Sequence, residues 1–409
     1  MLKSIVVAGS GLAGGNAVKT LRTEGYDGRL FVIGDEPGVP FGRPPLSKTY
    51  LRGEESLDGW LVVPPAWYAE HEVDFLRDTI TRIDAEARRV ELRSGESVAY
   101  DGLLVATGGR NRKLDVPGAD LDGVHQLRTV AESDAIKAAA RSGSHAVVVG
   151  MGFIGCEVAA SLRRLGVGVT AVFPGAAPLD TVLGPEMGAV MTGVHREEGV
   201  ELIAGDAVVR FEGNGRVERA ITRGGRRLDC DFAIVAVGIR PNIEVLEGTG
   251  VAVDNGVLVD ETCRTNVPDI YAAGDVANHL HPLFGRVRVE HYNNAEKMGG
   301  AAARSMLRPE QRYDYLHTFW SDQYAHKLEY AGHATRWDRF VVRGSLEERR
   351  LVGFYIAGGI VRAALGFDRS GDPELEPESE MARAARLVAT GASPTPEELQ
   401  DEDNDLALL

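Results

Sequence analysis

Up to Val237 the chain alternates short apolar runs, glycine turns and amphipathic stretches. Residues 4–8 predict a strand, 12–24 a helix and 29–34 a second strand, with a glycine loop closing the first strand. A strand–helix–strand order implies parallel pairing, because the chain crosses back over the sheet before it pairs again. Residues 37–48 are rich in proline and glycine and predict a loop, and residues 80–100 predict short antiparallel strands. Residues 103–106 predict a buried strand closed by Thr107-Gly108-Gly109. The pattern then restarts. A strand at 146–149, a glycine loop, a helix to about 165 and a strand at 168–173 repeat the opening unit, and 232–237 closes it as 103–106 closed the first. Past Trp320 the glycine loops before helices vanish. Strand-like runs appear at 327–331, 339–343, 351–357 and 360–365, the last two separated by the hairpin pair Gly358-Gly359, and a helix follows near 378–390. Residues 394–409 are polar and acidic and predict a mobile tail.

This pattern gives an α/β fold: two nested Rossmann-like dinucleotide-binding domains with a C-terminal α+β domain. The expected organisation is a cofactor domain in two parts, 1–109 and 238–318. A second nucleotide domain at 110–237 is inserted between them, followed by an α+β domain at 319–393 and the tail at 394–409.

Three constellations carry chemistry. Gly9, Gly11 and Gly14, with Leu12 and Ala13 between them, follow a strand and open a helix, so the backbone can turn tightly against a pyrophosphate and offer helix N–H groups to it. Asp35, with Glu36 beside it, stands where an acid binds ribose hydroxyls. Gly150, Gly152 and Gly155 repeat the arrangement, but the following strand ends in Phe173-Pro174-Gly175 with no acid. No arginine or lysine lies between Phe173 and Thr181 to meet a 2′-phosphate, which favours NADH over NADPH. Third, an apolar strand ends in Gly274-Asp275 and places a carboxylate at a ligand-binding sheet edge.

The chain has 409 residues, a net charge of −15 and three cysteines, Cys156, Cys230 and Cys263. From Asp372 onward eleven acids face two arginines, so the acidity is concentrated at the C-terminal end and no nucleic-acid-binding surface is expected. No C-x-x-C pair is present, which removes a redox disulfide of that spacing, and no Cys/His spacing suggests a metal. Cys156 is expected to be a buried thiol. No apolar run reaches the length of a membrane span, and the N-terminus does not read as a signal peptide, so a cytoplasmic setting is expected.

Taken in order, the Gly9 fingerprint, Ala106-Thr107-Gly108, the Gly150 fingerprint and Gly274-Asp275 resemble two-dinucleotide-binding flavoproteins of the glutathione-reductase-like fold. Arg43-Pro44-Pro45-Leu46-Ser47-Lys48 and Phe319-Trp320-Ser321-Asp322 are similar to the NADH-dependent ferredoxin reductases of bacterial oxygenase systems. Val289-Glu290-His291 and Phe173-Pro174 resemble apoptosis-inducing factor, of the same branch, whose long C-terminal insertion and targeting segment have no counterpart here. The resemblance implies FAD contacts at the Gly9 loop, Asp35, Glu36, Arg43, Lys48, Ile80, Thr107, Arg128 and Asp275. It implies that Glu290, His291 and Trp320 lie where flavin and nicotinamide meet, with Tyr292 also among the cofactor contacts. It also implies that Gly152, Phe153, Ile154 and Gly238 hold the dinucleotide, and that Lys48 and Glu157 form an ion pair beside the flavin. Gly175 departs from the acid that apoptosis-inducing factor carries there.

The activity implied is hydride transfer from NADH to FAD, then single-electron delivery to a [2Fe–2S] ferredoxin, by a monomer or homodimer. A quinone, rubredoxin or dioxygen as acceptor, and an NADH-sensing role, are the alternatives. For the ferredoxin, a weakly basic surface is expected from Lys327, Arg336, Arg339, Arg343, Arg349 and Arg350, with the acidic tail turned away from it.

Overall fold

The computed structural model describes residues 2–369, 371 and 373–409; Asp372, first acid of the C-terminal run, lies outside them. The chain divides into two compact units, residues 1–43, 57–110 and 239–317 forming one, and 44–56, 111–238 and 318–409 the other.

The first unit is built on a five-stranded parallel sheet, in the order Ile270–Ala272, Gly102–Val105, Ser4–Ala8, Arg29–Ile33, Val73–Leu76. The aliphatic residues of its central strands are buried, as a sheet covered on both faces requires. The helix Leu12–Thr23 follows the first strand and packs against the helix Tyr292–Leu307 so closely that a Cβ on Gly299 would come within 2.2 Å of the Ala13 carbonyl. Two three-stranded sheets complete this unit: Ile80–Asp84 with Arg89–Leu92 and Ser97–Ala99, and Val257–Val259 with Ala277–His281 and Gly285–Arg288.

The second unit repeats the architecture. Its parallel sheet runs Val200–Ala204, Gly168–Phe173, His145–Val149, Phe232–Val235, Val124–His125, with the helix Phe153–Arg164 after the central strand. The same unit contains a five-stranded antiparallel sheet, ordered Thr318–Gln323, His326–Gly332, Ile360–Phe367, Arg350–Ala357, Arg339–Ser345. Gly358 and Gly359 both take positive φ, 59° and 78°, the backbone of a two-residue hairpin whose twist matches its strands. The α/β class and the C-terminal α+β region agree with the sequence reading.

The acidic C-terminal end departs from that reading. Residues 394–409 are ordered: Thr395 caps a short helix, Pro396–Gln400, through a capping box with Glu398. Arg343, on the strand Arg339–Ser345, is buried and gathers the segment's carbonyls. Its guanidinium donates to the backbone oxygens of Leu399 (3.4 Å), Asp401, Glu402 (3.0 Å) and Asn404 (2.8 Å), and to Glu380 at 2.5 Å. Arg369 pairs with Glu402 (2.7 Å), Arg383 with Asp405 (3.0 Å), and Leu399 and Leu406 are buried, so where charge composition suggested mobility, arginine donors and apolar anchors hold the segment.

Candidate functional site

The two glycine fingerprints fold into near-identical turns. Gly11 and Gly152 precede their helices with φ, ψ of −78°, −171° and −77°, −171°, values open to any residue. A Cβ on either would meet nothing within 4 Å. Neither backbone strain nor packing therefore explains glycine there, and the room left at the helix N-terminus fits a group that approaches the backbone, such as a pyrophosphate. Their neighbours have internal reasons. A Cβ on Gly9 or Gly150, both at positive φ, would lie 2.1 Å from the Ala106 carbonyl or 2.4 Å from the Ala236 carbonyl. One on Gly14 or Gly155 would lie 2.0 Å from the carbonyl of the first glycine of its own turn. Two glycines of each fingerprint thus shape the turn, and the third leaves it open.

Around the first turn, Asp35 is exposed at the end of its strand and accepts a bond from Thr79 Oγ1 at 3.3 Å, near Ile80 at the start of the next strand. Glu36 is held by Arg43 at 2.5 Å. Thr107 and Asn242 exchange two hydrogen bonds, Thr107 Oγ1 to the Asn242 carbonyl (2.7 Å) and Asn242 Nδ2 to the Thr107 carbonyl (2.9 Å), which fixes the Ala106-Thr107-Gly108 turn. Gly274 has positive φ and sits against Ala13, so a Cβ there would meet the Ala13 Cβ at 2.8 Å; Asp275 follows it, half-buried. Arg288 donates to the Asp275 carbonyl (3.0 Å) and pairs with Glu290 (2.6 Å). His291 stands at the N-cap position, without a side-chain capping bond, of the helix that begins at Tyr292, whose ring meets Trp60 edge to face at 6.0 Å.

In the second unit, Lys48 Nζ lies 2.8 Å from Glu157 Oε2, and both side chains are nearly buried. Glu157 sits in the second turn of the Phe153–Arg164 helix, past the reach of its N-terminal dipole. Ser47 Oγ donates to its Oε2 (2.5 Å) and Ser321 Oγ to its Oε1 (2.7 Å). Segments around residues 47, 157 and 321 thus converge on one carboxylate. Phe153 meets Phe319 edge to face at 4.9 Å, Ile154 is 44% exposed, and Gly238 stands exposed at positive φ. Trp320 pairs across the antiparallel ladder with Glu329. Arg128 precedes the Thr129 capping box, its backbone N–H bonded to Glu132 at 2.7 Å.

All three cysteines are buried, and none is in a disulfide. Burial, then the neighbouring Glu157 charge, pushes the Cys156 thiol well above its ordinary range, which leaves it protonated and inert.

Two features escaped the sequence reading. Asp180, five residues past Gly175, folds back so that its carboxylate accepts from the N–H groups of Ala176 (2.8 Å) and Ala177 (3.1 Å), within 2.8 Å of where a Gly175 Cβ would be. No spacing rule flags it, because a loop reversal brings it there. The basic surface also changes. Arg343 is buried under the C-terminal segment, so that segment does not turn away from its strand, and Arg349 is engaged by Glu197. Arg343 and Arg349 thus leave the expected basic surface, while Arg336, Arg339 and Arg350 stay exposed on it.

Among the described residues no helix is long and apolar enough to cross a membrane. A family model described as pyridine nucleotide-disulphide oxidoreductase matches residues 3–299, and one described as reductase C-terminal matches 318–409. Rhodocoxin reductase of Rhodococcus erythropolis is 38% identical over 99% of this chain and 94% of its own length. The ferredoxin–NAD(+) reductase component of the biphenyl dioxygenase system of Paraburkholderia xenovorans is 36% identical over 99% and 98%. Among solved structures, a ferredoxin reductase from Rhodopseudomonas palustris matches with a TM-score of 0.92 at 32% identity, covering 99% of each chain. Putidaredoxin reductase in its covalent complex with putidaredoxin matches with a TM-score of 0.93 at 31% identity, covering 99% of this chain and 97% of that one.

Proposed function

Because the chain belongs to the pyridine nucleotide-disulphide oxidoreductase family and carries a reductase C-terminal domain, we propose that it is an FAD-dependent NADH:ferredoxin reductase delivering electrons to a [2Fe–2S] ferredoxin that serves an oxygenase. The observation that carries this reading is the pair of turns at Gly11 and Gly152, each opening a helix N-terminus where a Cβ would meet nothing. One chain with two such cradles suits two dinucleotides. The acceptor follows from relatives that match along nearly their whole length and are named as reductases of ferredoxin-type partners.

In this reading the Gly9–Gly14 turn receives the FAD pyrophosphate, Asp35 and the Arg43-held Glu36 meet its adenosine end, and Thr107 and Asp275 hold the remainder. Gly152, Phe153, Ile154 and Gly238 hold NADH. FAD supplies the ability to take a hydride and release electrons singly. The protein's part is to align the two rings and exclude water. Lys48 would set a positive charge beside bound FAD, where it would favour electron uptake, and Glu157 with its two serines holds that lysine in one place. Asp180 supports the preference for NADH: its carboxylate occupies the loop where a 2′-phosphate would sit, and no cation lies between Phe173 and Thr181.

The experiment is anaerobic mixing of the yellow protein with NADH. Rapid bleaching of the flavin band, with FAD released intact by acid, is expected. A colourless protein that does not take up FAD overturns the reading.

A further inference from the structure

Outside the cofactor turns, the first unit contains a buried cluster of three histidines. His279 and His281 are two apart on the strand Ala277–His281, so their side chains leave the same face of the sheet. His317, at the end of this unit's last segment, joins them. Each ring is about 1% exposed, and one ring nitrogen from each lies within 4.8 Å of the others. Ring centroids are 5.6, 5.2 and 5.0 Å apart. Phe284 stacks on His281 at 4.6 Å and Tyr313 lies 5.3 Å from His279, so the cluster has aromatic walls.

We propose that His279, His281 and His317 form a site for a divalent first-row transition metal, Zn²⁺ being the ion that three imidazoles suit. Three histidines with a water in the fourth position is an established zinc donor set. Imidazole nitrogen selects Zn²⁺, Cu²⁺ or Ni²⁺ over the oxygen-seeking Mg²⁺ and Ca²⁺. At Zn–N bonds of about 2.0–2.1 Å, tetrahedral geometry puts the nitrogens about 3.3 Å apart, so each moves by under about 1 Å, within reach of small ring rotations.

The support around His281 is of the right kind. Its Nε2 faces the Tyr315 carbonyl at 3.1 Å and its Nδ1 faces the Leu283 N–H at 3.1 Å. The carbonyl requires a proton on Nε2 and the amide a lone pair on Nδ1, so the ring is neutral with one tautomer. A ligating histidine commonly donates its other N–H to a backbone carbonyl in this way. The metal would take Nδ1 in place of the 3.1 Å amide bond. Bound there, it staples the strand Ala277–His281 to His317 and so closes the ends of the segment that carries the Tyr292–Leu307 helix. No single stretch of sequence displays the donor set: His-x-His is only a fragment until the fold brings up His317.

The test uses the FAD-loaded full chain, freed of metal by a chelator and then equilibrated with Zn²⁺ or, separately, Mg²⁺. The wild type is expected to retain one Zn²⁺ per chain and to melt at a higher temperature with Zn²⁺ but not with Mg²⁺. His279→Phe and His317→Phe, which keep an aromatic ring in the packing, are expected to lose that equivalent and that shift while keeping the flavin spectrum. Equal zinc content and equal thermal response in wild type and both variants overturn the site. If a variant does not fold, zinc-edge anomalous diffraction from zinc-equilibrated wild-type crystals decides: a peak about 2.0–2.1 Å from the three nitrogens supports the site, and no peak there overturns it.

Discussion

Lys48 Nζ and Glu157 Oε2 lie 2.8 Å apart, and Ser47 and Ser321 hydroxyls bond both oxygens of the same carboxylate. Such a buried pair is weak evidence for stability, since each charge has left water, but removing one partner strands the other. Lys48→Met should therefore cost about 3 kcal/mol in urea unfolding, the low end for a broken buried pair because the serines remain. Lys48→Met/Glu157→Gln should recover part of that loss. The same lysine change should slow flavin reduction by NADH on the order of 10²-fold, the effect of losing one preorganised electrostatic contact. Unchanged reduction in stopped flow would remove Lys48 from the chemistry and leave it structural.

The glycines of one turn should separate by phenotype. Gly11→Ala meets no protein atom, so it should fold with normal circular dichroism yet bind FAD weakly. Gly14→Ala would push a Cβ to 2.0 Å from the Gly9 carbonyl and should lower the melting temperature itself. Gly152→Ala should keep FAD and raise KM for NADH. Full FAD occupancy in Gly11→Ala contradicts the assignment of that turn.

Preference for NADH should depend on Asp180. Wild-type kcat/KM is expected to be higher with NADH, and Asp180→Ala should narrow the ratio by raising the efficiency with NADPH. A ratio that does not move places the discrimination elsewhere.

His195 gives the fold an acid-sensitive point. It is fully buried, with Nδ1 facing the Tyr324 hydroxyl (3.0 Å) and Nε2 facing Gln323 Oε1 (3.1 Å), and burial lowers its pKa from 6.5 to about 4. Above pH 6.5 the ring is neutral folded or unfolded, and stability is at its full value. As pH falls from 6.5 towards 4 only the unfolded chain takes the proton, so stability falls by up to about 3 kcal/mol. His195→Gln should flatten that part of the stability–pH curve in urea titrations. An identical slope in the variant would assign the acid sensitivity to other groups.

Much of this was legible in the sequence because it is local. The glycines at 9–14 and 150–155 follow valine-rich strands and precede helices, and the hairpin at Gly358-Gly359 is set by two residues of positive φ. What was not legible depends on contacts between distant segments. Arg343 reads as a surface cation until the carbonyls of 399–404 come to it. Asp180 carries no motif until its loop reverses beside Gly175. His317 has no motif until His279 and His281 meet it. Charge counting erred most at the C-terminal end, where the sum of acids said nothing about backbone carbonyls and their donor.

Cytochrome c reduction driven by NADH, measured with and without a [2Fe–2S] ferredoxin from an oxygenase system, distinguishes a ferredoxin reductase from the alternatives. Slow turnover is expected with the reductase alone, and a rate that rises with ferredoxin and saturates. An equal rate without ferredoxin, or no NADH oxidation in its presence, would contradict the ferredoxin reductase reading.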